Sequence, residues 1–464
     1  MNQLLYPTVD LFLYDLQDRL GGSPSTITEG RRRFWKRIYG EISDNKLAAL
    51  QVAENTFSNY IELLEAQGTQ RYQQLTDDIN GYYYPVKLGD TYALQIDYSG
   101  RLNDSSWEQL PLPEKLQQAK KTVLEYTHQI PGDLGENWLI WGQLTDANQD
   151  VDVIAQDCYR AVQIVGNLNW QRDYKGKGVF KDATLFEIEQ LDDIPDGVNR
   201  TIHGLICLFP PHQSKEEIQK AIEQLYKNLI QLFHHRNKVL WFYEQSRQLK
   251  IQLRNSSQTI EKLGKSLTRQ ITASQLNLKQ LQVDLADALT ISHYYETSLG
   301  YLKEEATTIA VNTTNYNACV EELKKLDPAS QLDFLRRFGE FAVDHCLAQI
   351  KTDDEAFSAG LKPLENFIKT IQGITDIEKT KNDRTFNRTV AIASVGISTA
   401  SLAASTFGSQ SEKIVQVWRP VPANQPTPAL SLWLSFLLAF ALSVAIGLAG
   451  ALVTWLFLGK SGRN

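Results

Sequence analysis

Two stretches near the C-terminus limit what this chain can fold into more than anything else in it. Residues 389–407 carry no charged side chain, and residues 429–458 are longer and more apolar. A helix needs about 20 apolar residues to cross a hydrocarbon core of about 30 Å, because the backbone N–H and C=O groups must be satisfied within the segment there. The sequence therefore predicts two transmembrane helices, at 389–407 and 429–458, joined by an outer loop at 408–428. Trp433 and Trp455 are spaced to mark the two interfaces of the second span, about 33 Å apart along a helix. Lys379, Lys381, Arg384 and Arg388 precede the first span, and Lys460 and Arg463 lie in a short basic tail (459–464) after the second. The loop has only Lys413 and Arg419, with Pro420, Pro422, Pro426 and Pro428 to keep it from being helical. This asymmetry of basic residues predicts a multi-pass protein of the cell (inner) membrane with both termini in the cytoplasm.

What precedes the spans looks like ordinary globular material. The chain has 47 Lys plus Arg against 54 Asp plus Glu, a formal net charge of −7. That balance argues against direct nucleic-acid binding, which usually needs a basic excess. The N-terminus has no basic leader, and Asp10 and Asp15 interrupt its apolar run, so it does not read as a signal peptide. Cys158, Cys207, Cys319 and Cys346 are scattered, with neither a CxxC nor a close pair, which predicts reduced thiols.

Residues 1–210 read as a cytoplasmic α/β domain. Helical periodicity covers 44–67, 113–128 and 151–164, and strand character covers 82–98, 138–144, 179–188 and 201–209. Leu88-Gly89-Asp90 is the turn between two strands. After Pro210-Pro211, Ser214 and Glu217 have the spacing of a capping box. Residues 211–388 then read as a stalk of long helices whose Gln- and Asn-rich faces are solvated. A third long helix is expected to begin near Pro363, in its first turn, and to run toward the first span; 45 residues of it would cover about 68 Å. The fold class is thus an α/β cytoplasmic domain, a long α-helical stalk and two C-terminal transmembrane helices.

Within the first span, Ser394, Ser398, Ser401 and Ser405 share one helical face. Hydroxyls in hydrocarbon seek partners. The face therefore either packs against another helix or lines a hydrated pore built by several subunits. Ser435, Ala439, Ser443, Gly447 and Ala451 form a small-residue file in the second span, suited to close helix contact. Neither span holds an ionisable residue, which disfavours a proton relay.

Other candidate sites are weaker. Lys175-Gly176-Lys177-Gly178 reads as a basic hairpin turn or, through backbone amides, a phosphate cradle. His234-His235-Arg236 reads as solvated helix surface, and Asp344-His345-Cys346 as a local helix face. Asp146, Asp150, Asp152 and Asp157 are a solvated loop and helix start or a regulatory divalent-cation patch at a subunit interface. No nucleophile-elbow, zinc-protease, Walker A or EF-hand spacing occurs, so no enzyme is expected and no cofactor is required.

The layout resembles the CorA family of divalent-cation channels, which includes ZntB-type zinc transporters. That family's marker, an aromatic-Gly-Met-Asn sequence at the outer end of the first span, falls here on Phe407-Gly408-Ser409-Gln410. The aromatic residue and glycine are kept; Ser409 and Gln410 replace methionine and asparagine. The resemblance implies a homopentamer in the lipid bilayer, a pore lined by the serine face, and magnesium or another divalent cation as permeant or regulator. The outer loop departs from the family, with Glu412 as its one acidic residue beside Lys413. A divergent subset of CorA-like proteins, linked to type III CRISPR antiviral defence, implies a second reading: a membrane effector opened by a nucleotide second messenger. A third is a non-conducting membrane-anchored scaffold.

Overall fold

A computed structural model describes residues 3–17, 24–54, 59–65, 70–102, 104–163, 168–192, 200–272 and 278–379. The N-terminal part is built on a mixed sheet of nine strands: β1 (Leu4–Leu16), β2 (Tyr60–Glu62), β3 (Gln73–Gln74), β4 (Ile79–Leu88), β5 (Thr91–Arg101), β6 (Gly135–Leu144), β7 (Tyr174–Phe180), β8 (Ala183–Asp192) and β9 (Arg200–Phe209). Their order is β2-β4-β5-β1-β6-β9-β8-β7, with β3 also on β4. Among the described residues β6 and β9 run parallel and the other pairs are antiparallel.

Strand β1 lies at the centre, between β5 and β6. Its apolar run of Leu, Val and Phe is what a strand covered on both faces requires. Side chains alternate across the sheet. Val9, Leu11 and Leu13 join Leu94 and Ile96 of β5, Trp138 and Ile140 of β6 and Ile206 and Leu208 of β9 in one core. Six helices contribute to the organisation of that region: α1 (Pro24–Tyr39), α2 (Asp44–Glu54), α3 (Ser105–Gln109), α4 (Leu112–Tyr126), α5 (Val151–Val162) and α6 (Trp170–Asp173). Leu116, Ala119 and Val123 of α4 and Ile154, Cys158 and Val162 of α5 fill the same core at helical spacing.

The opposite face takes Asp10, Phe12 and Tyr14. It is covered by α7 (Lys215–Thr272), whose Tyr226 and Phe233 rings meet Phe12 edge-on. The capping box that opens α7 is present: Ser214 N–H donates to Glu217 Oε2 at 2.8 Å, and Glu217 N–H to Ser214 Oγ at 3.3 Å. Ile218, Ala221, Ile222, Leu225, Leu229, Ile230 and Phe233 form its buried stripe. Each large side chain among them contributes about 1.5–3 kcal/mol.

After α7 come α8 (Leu278–Leu326), α9 (Asp333–Phe341), a π-helical turn at Ala342–Leu347, and α10 (Ala348–Lys379). The described residues form two compact units: those up to Ile251 with Gly300–Glu355, and those of Gln252–Leu299 with 356–379. The end of the sheet at Phe209 is thus not the end of the first unit, which also holds the first part of α7, the end of α8, α9 and the start of α10. In the second unit Tyr295 OH donates to the Phe357 carbonyl at 2.8 Å. Ile260, Pro363 and Phe367 line a cavity of about 710 Å³ there.

Several sequence expectations change. The helix expected over 44–67 is α2, which ends at Glu54; Tyr60–Glu62 is a strand on β4 because Ile61 completes the sheet core. The single strand expected at 179–188 is the hairpin β7–β8, turning at Lys181-Asp182 with φ of 50° and 63°. Pro363 is an interior residue of α10, not its start. The α/β domain and long helices are present. Among the described residues no helix is long and apolar enough to cross a membrane. The stretches 389–407 and 429–458, the loop 408–428 and the tail 459–464 lie outside the described residues.

Candidate functional site

Asp10 and Asp97 stand directly opposite one another in the β1–β5 register. Opposed residues in an antiparallel pair have Cβ atoms about 4.5–5.5 Å apart, and like charges there repel. Asp10 is fully buried and Asp97 is 6% exposed. Gln95 Nε2 donates to Asp10 Oδ1 at 2.8 Å. Tyr226 OH, from α7, reaches Asp10 Oδ2 at 3.0 Å and Asp97 Oδ2 at 3.4 Å. Trp141 Nε1 of β6 donates to Tyr226 OH at 2.9 Å. Tyr82 of β4 approaches Gln95 Nε2 at 3.5 Å. None of these neighbours is a cation.

Burial, and then the facing Asp97, pushes the Asp10 carboxyl well above the usual carboxylate range, against the hydrogen bonds from Gln95 and Tyr226. Burial pushes Asp97 up to about 7. Two carboxyls placed this way cannot both ionise easily, so the pair retains a proton near neutrality.

The acid pair begins a polar seam along α7. Tyr14 OH donates to the Ile230 carbonyl at 2.9 Å, and His234 stacks on the Tyr14 ring. Asn237 Nδ2 donates to Asn137 Oδ1 at 2.7 Å; Asn137 meets His203 Nδ1 at 3.2 Å, and His203 Nε2 meets Glu187 Oε1 at 2.9 Å. Arg236 Nη2 donates to Glu189 Oε1 at 3.0 Å, with its guanidinium over the Phe338 ring. Lys238 Nζ pairs with Asp90 in the β4–β5 turn at 2.6 Å. Burial lowers the pKa of His203 and His234, most strongly for His234, so both are neutral at pH 7. Over three helical turns α7 is therefore fixed to β1, β5, β6, β8 and one turn, and through Asn137 to His203 of β9, by directional contacts as well as apolar ones.

This corrects the reading of His234-His235-Arg236 as solvated surface: His234 and Arg236 are buried, and His235 Nδ1 meets Asn312 Oδ1 of α8 at 2.9 Å. Lys175-Gly176-Lys177-Gly178 is not a turn but strand β7. Its glycines are needed because a Cβ at Gly176 would lie 2.7 Å from Phe334 Cβ, and one at Gly178 1.7 Å from the Gln331 carbonyl oxygen. A cavity of about 460 Å³ adjoins this strand and α9. The two ammonium groups are already held, Lys177 Nζ by both Asp152 oxygens at 2.7 and 2.8 Å and Lys175 Nζ by the Arg172 carbonyl at 3.0 Å.

The four acidic candidates have local partners. Asp146 accepts from Asn148 N–H at 2.9 Å, Asp150 caps α5 through Asp152 N–H at 2.9 Å, Asp152 pairs with Lys177, and Asp157 pairs with Arg160 at 3.1 Å. Among the described residues no three His, Cys, Asp or Glu side chains are grouped to hold a metal. Asp344, His345 and Cys346 fall in the π-helical turn, where Cys346 is buried and His345 Nε2 lies 3.4 Å from Tyr243 OH. Ser394, Ser398, Ser401, Ser405, Phe407, Gly408, Ser409, Gln410 and Glu412 lie outside the described residues.

The sequence reading missed the acid pair and the seam. The available signal was charge in an otherwise apolar strand: Asp10 interrupts Val9, Leu11, Phe12 and Leu13. The chain matches no protein-family model, no curated protein and no solved structure.

Proposed function

We propose that the chain is a CorA-like oligomeric membrane channel for cations, with divalent cations as the expected permeant class. The observation that carries this reading is the pair of charge-poor stretches at 389–407 and 429–458, the first with four serines on one helical face and Phe407-Gly408-Ser409-Gln410 at its end. In this reading five copies assemble in the inner membrane with both termini in the cytoplasm. The first span lines the pore, the second packs outside it, and the α/β region gates it. Gating requires a ligand or condition that favours one arrangement of that region over another. The long helices α7 and α8 support the stalk of this reading.

The altered marker and the loop with Glu412 as its one acid favour a second reading, a type III CRISPR defence effector opened by a nucleotide second messenger. Ion flux into proteoliposomes separates them. Flux inhibited by millimolar magnesium supports the transporter, and flux that needs an added nucleotide second messenger supports the effector. Ser398→Leu with Ser401→Leu should abolish flux in either case. Unchanged flux in that variant rejects the serine-lined pore, and no flux in the parent protein leaves a membrane-anchored scaffold.

A further inference from the structure

We propose that Asp10, Asp97 and Tyr226 form a proton-operated latch that holds the first part of α7 against the sheet. The two carboxyls belong to neighbouring strands, and the hydroxyl that reaches both belongs to the helix above them. The groups facing the pair are Gln95 of β5, Tyr82 of β4, Trp141 of β6 and Tyr226 of α7. They are donors and rings without a positive charge, so nothing neutralises a second carboxylate. With one proton present, the pair and Tyr226 satisfy one another by hydrogen bonds. With that proton gone, two negative charges face each other out of water, and the arrangement that relieves them is one in which water enters.

The route for water is on the helix side. Eight register positions from Val9 to Leu16 tie β1 to β5, and a further run ties β1 to β6. Among the described residues helix α7 is held over the same strands by contacts that each need a side chain, including that of Tyr14 OH with the Ile230 carbonyl. The helix is therefore the part that yields. Once hydrated, the carboxyls return to an ordinary pKa and are both ionised at neutral pH, so each opening releases about one proton. The opening equilibrium then rises by up to about tenfold per pH unit. Acid closes the latch and alkali loosens it. This device involves α7 and the sheet only, and it stands or falls apart from the channel reading.

Hydrogen exchange of the full chain in detergent micelles, corrected for the intrinsic pH dependence of exchange, tests it. Between pH 6 and pH 8, protection over residues 218–233 should fall between about tenfold and a hundredfold, while α4 on the other face of the sheet keeps its protection. The double variant Asp10→Asn/Asp97→Asn should show no such fall. A flat wild-type response, or the same fall in the double variant, overturns the latch. If the double variant does not fold, Asp97→Asn alone serves through infrared spectroscopy at pH 7. Wild type should show the carbonyl band of a buried protonated carboxylic acid, and the variant, in which Asp10 faces an amide in place of a second carboxyl, should shift or weaken it. A wild type without that band, or a variant that keeps it unchanged, overturns the latch as well.

Discussion

Strand β1 carries two buried carboxylates, Asp10 and Asp15, and the fold treats them in opposite ways. Asp15 faces α1. Arg37 pairs with it through both carboxylate oxygens, Arg33 Nη2 donates to Oδ1 at 2.6 Å, and Asp133 N–H donates to Oδ1 at 3.0 Å. Burial alone would raise its pKa, but Arg37 and Arg33 hold it below the usual range. Asp10 faces α7 and meets a second acid in place of a base. The same residue type on one strand is a fixed ion pair on one face of the sheet and a proton-binding site on the other. Charge can be buried either by pairing it or by neutralising it with a proton, and only the second way responds to pH near neutrality.

The largest expected effect comes from breaking the paired side. Arg37→Met leaves Asp15 buried with only Arg33, which is 35% exposed, as a cationic partner. Removing one member of a buried pair costs about 3 kcal/mol or more, seen as a lower midpoint in urea unfolding followed by tryptophan fluorescence. A midpoint equal to that of wild type would mean that Arg33 alone compensates Asp15, and the contrast between the two faces would weaken.

The contrast was only partly legible in the sequence. The β4–β5 hairpin could be read because Gly89 takes a φ of 60° at its turn, where glycine is the expected residue. The β7–β8 turn could not, because Lys181 and Asp182 take positive φ without a glycine to announce it. Strand β1 was invisible as a strand because its apolar residues point to both faces, so it lacks alternation. In β5, Tyr92, Leu94, Ile96 and Tyr98 alternate with Ala93, Gln95 and Asp97, a pattern that reads as one wet face. That face is covered by a helix that begins more than a hundred residues later, and no local pattern records such a contact. The polar residues of α7 misled for the same reason: Arg236 and Asn237 look solvated on a helix wheel and are buried against the sheet.

Tyr226→Phe sharpens the comparison from the helix side. It deletes the donor to Asp10 and Asp97 and the acceptor for Trp141 while keeping the ring on Phe12. A buried hydrogen-bond group lost from such a network costs about 1–3 kcal/mol. The loss should be larger at pH 8 than at pH 6, because the remaining carboxylates then have fewer donors. An equal loss at both values would make the Tyr226 hydroxyl a hydrogen-bond partner indifferent to the charge of the pair.

The smallest effect is a difference of pH slopes. Asp97 has a raised folded-state pKa, so its contribution to stability is complete below the unfolded value near 4 and is lost as pH rises through about 7. Asp15 has a lowered one, so its contribution is complete above about 4 and is lost as pH falls through the folded value. Asp97→Asn should therefore gain on wild type between pH 5 and pH 8, on the order of 1 kcal/mol. Asp15→Asn should be less stable than wild type at pH 7 and approach it below pH 4. Urea midpoints of the three proteins from pH 3 to pH 8 measure both slopes. If Asp97→Asn runs parallel to wild type above pH 5, the two carboxylates of β1 are kept in the same way after all, and water or a rearranged side chain already neutralises the pair in the closed state.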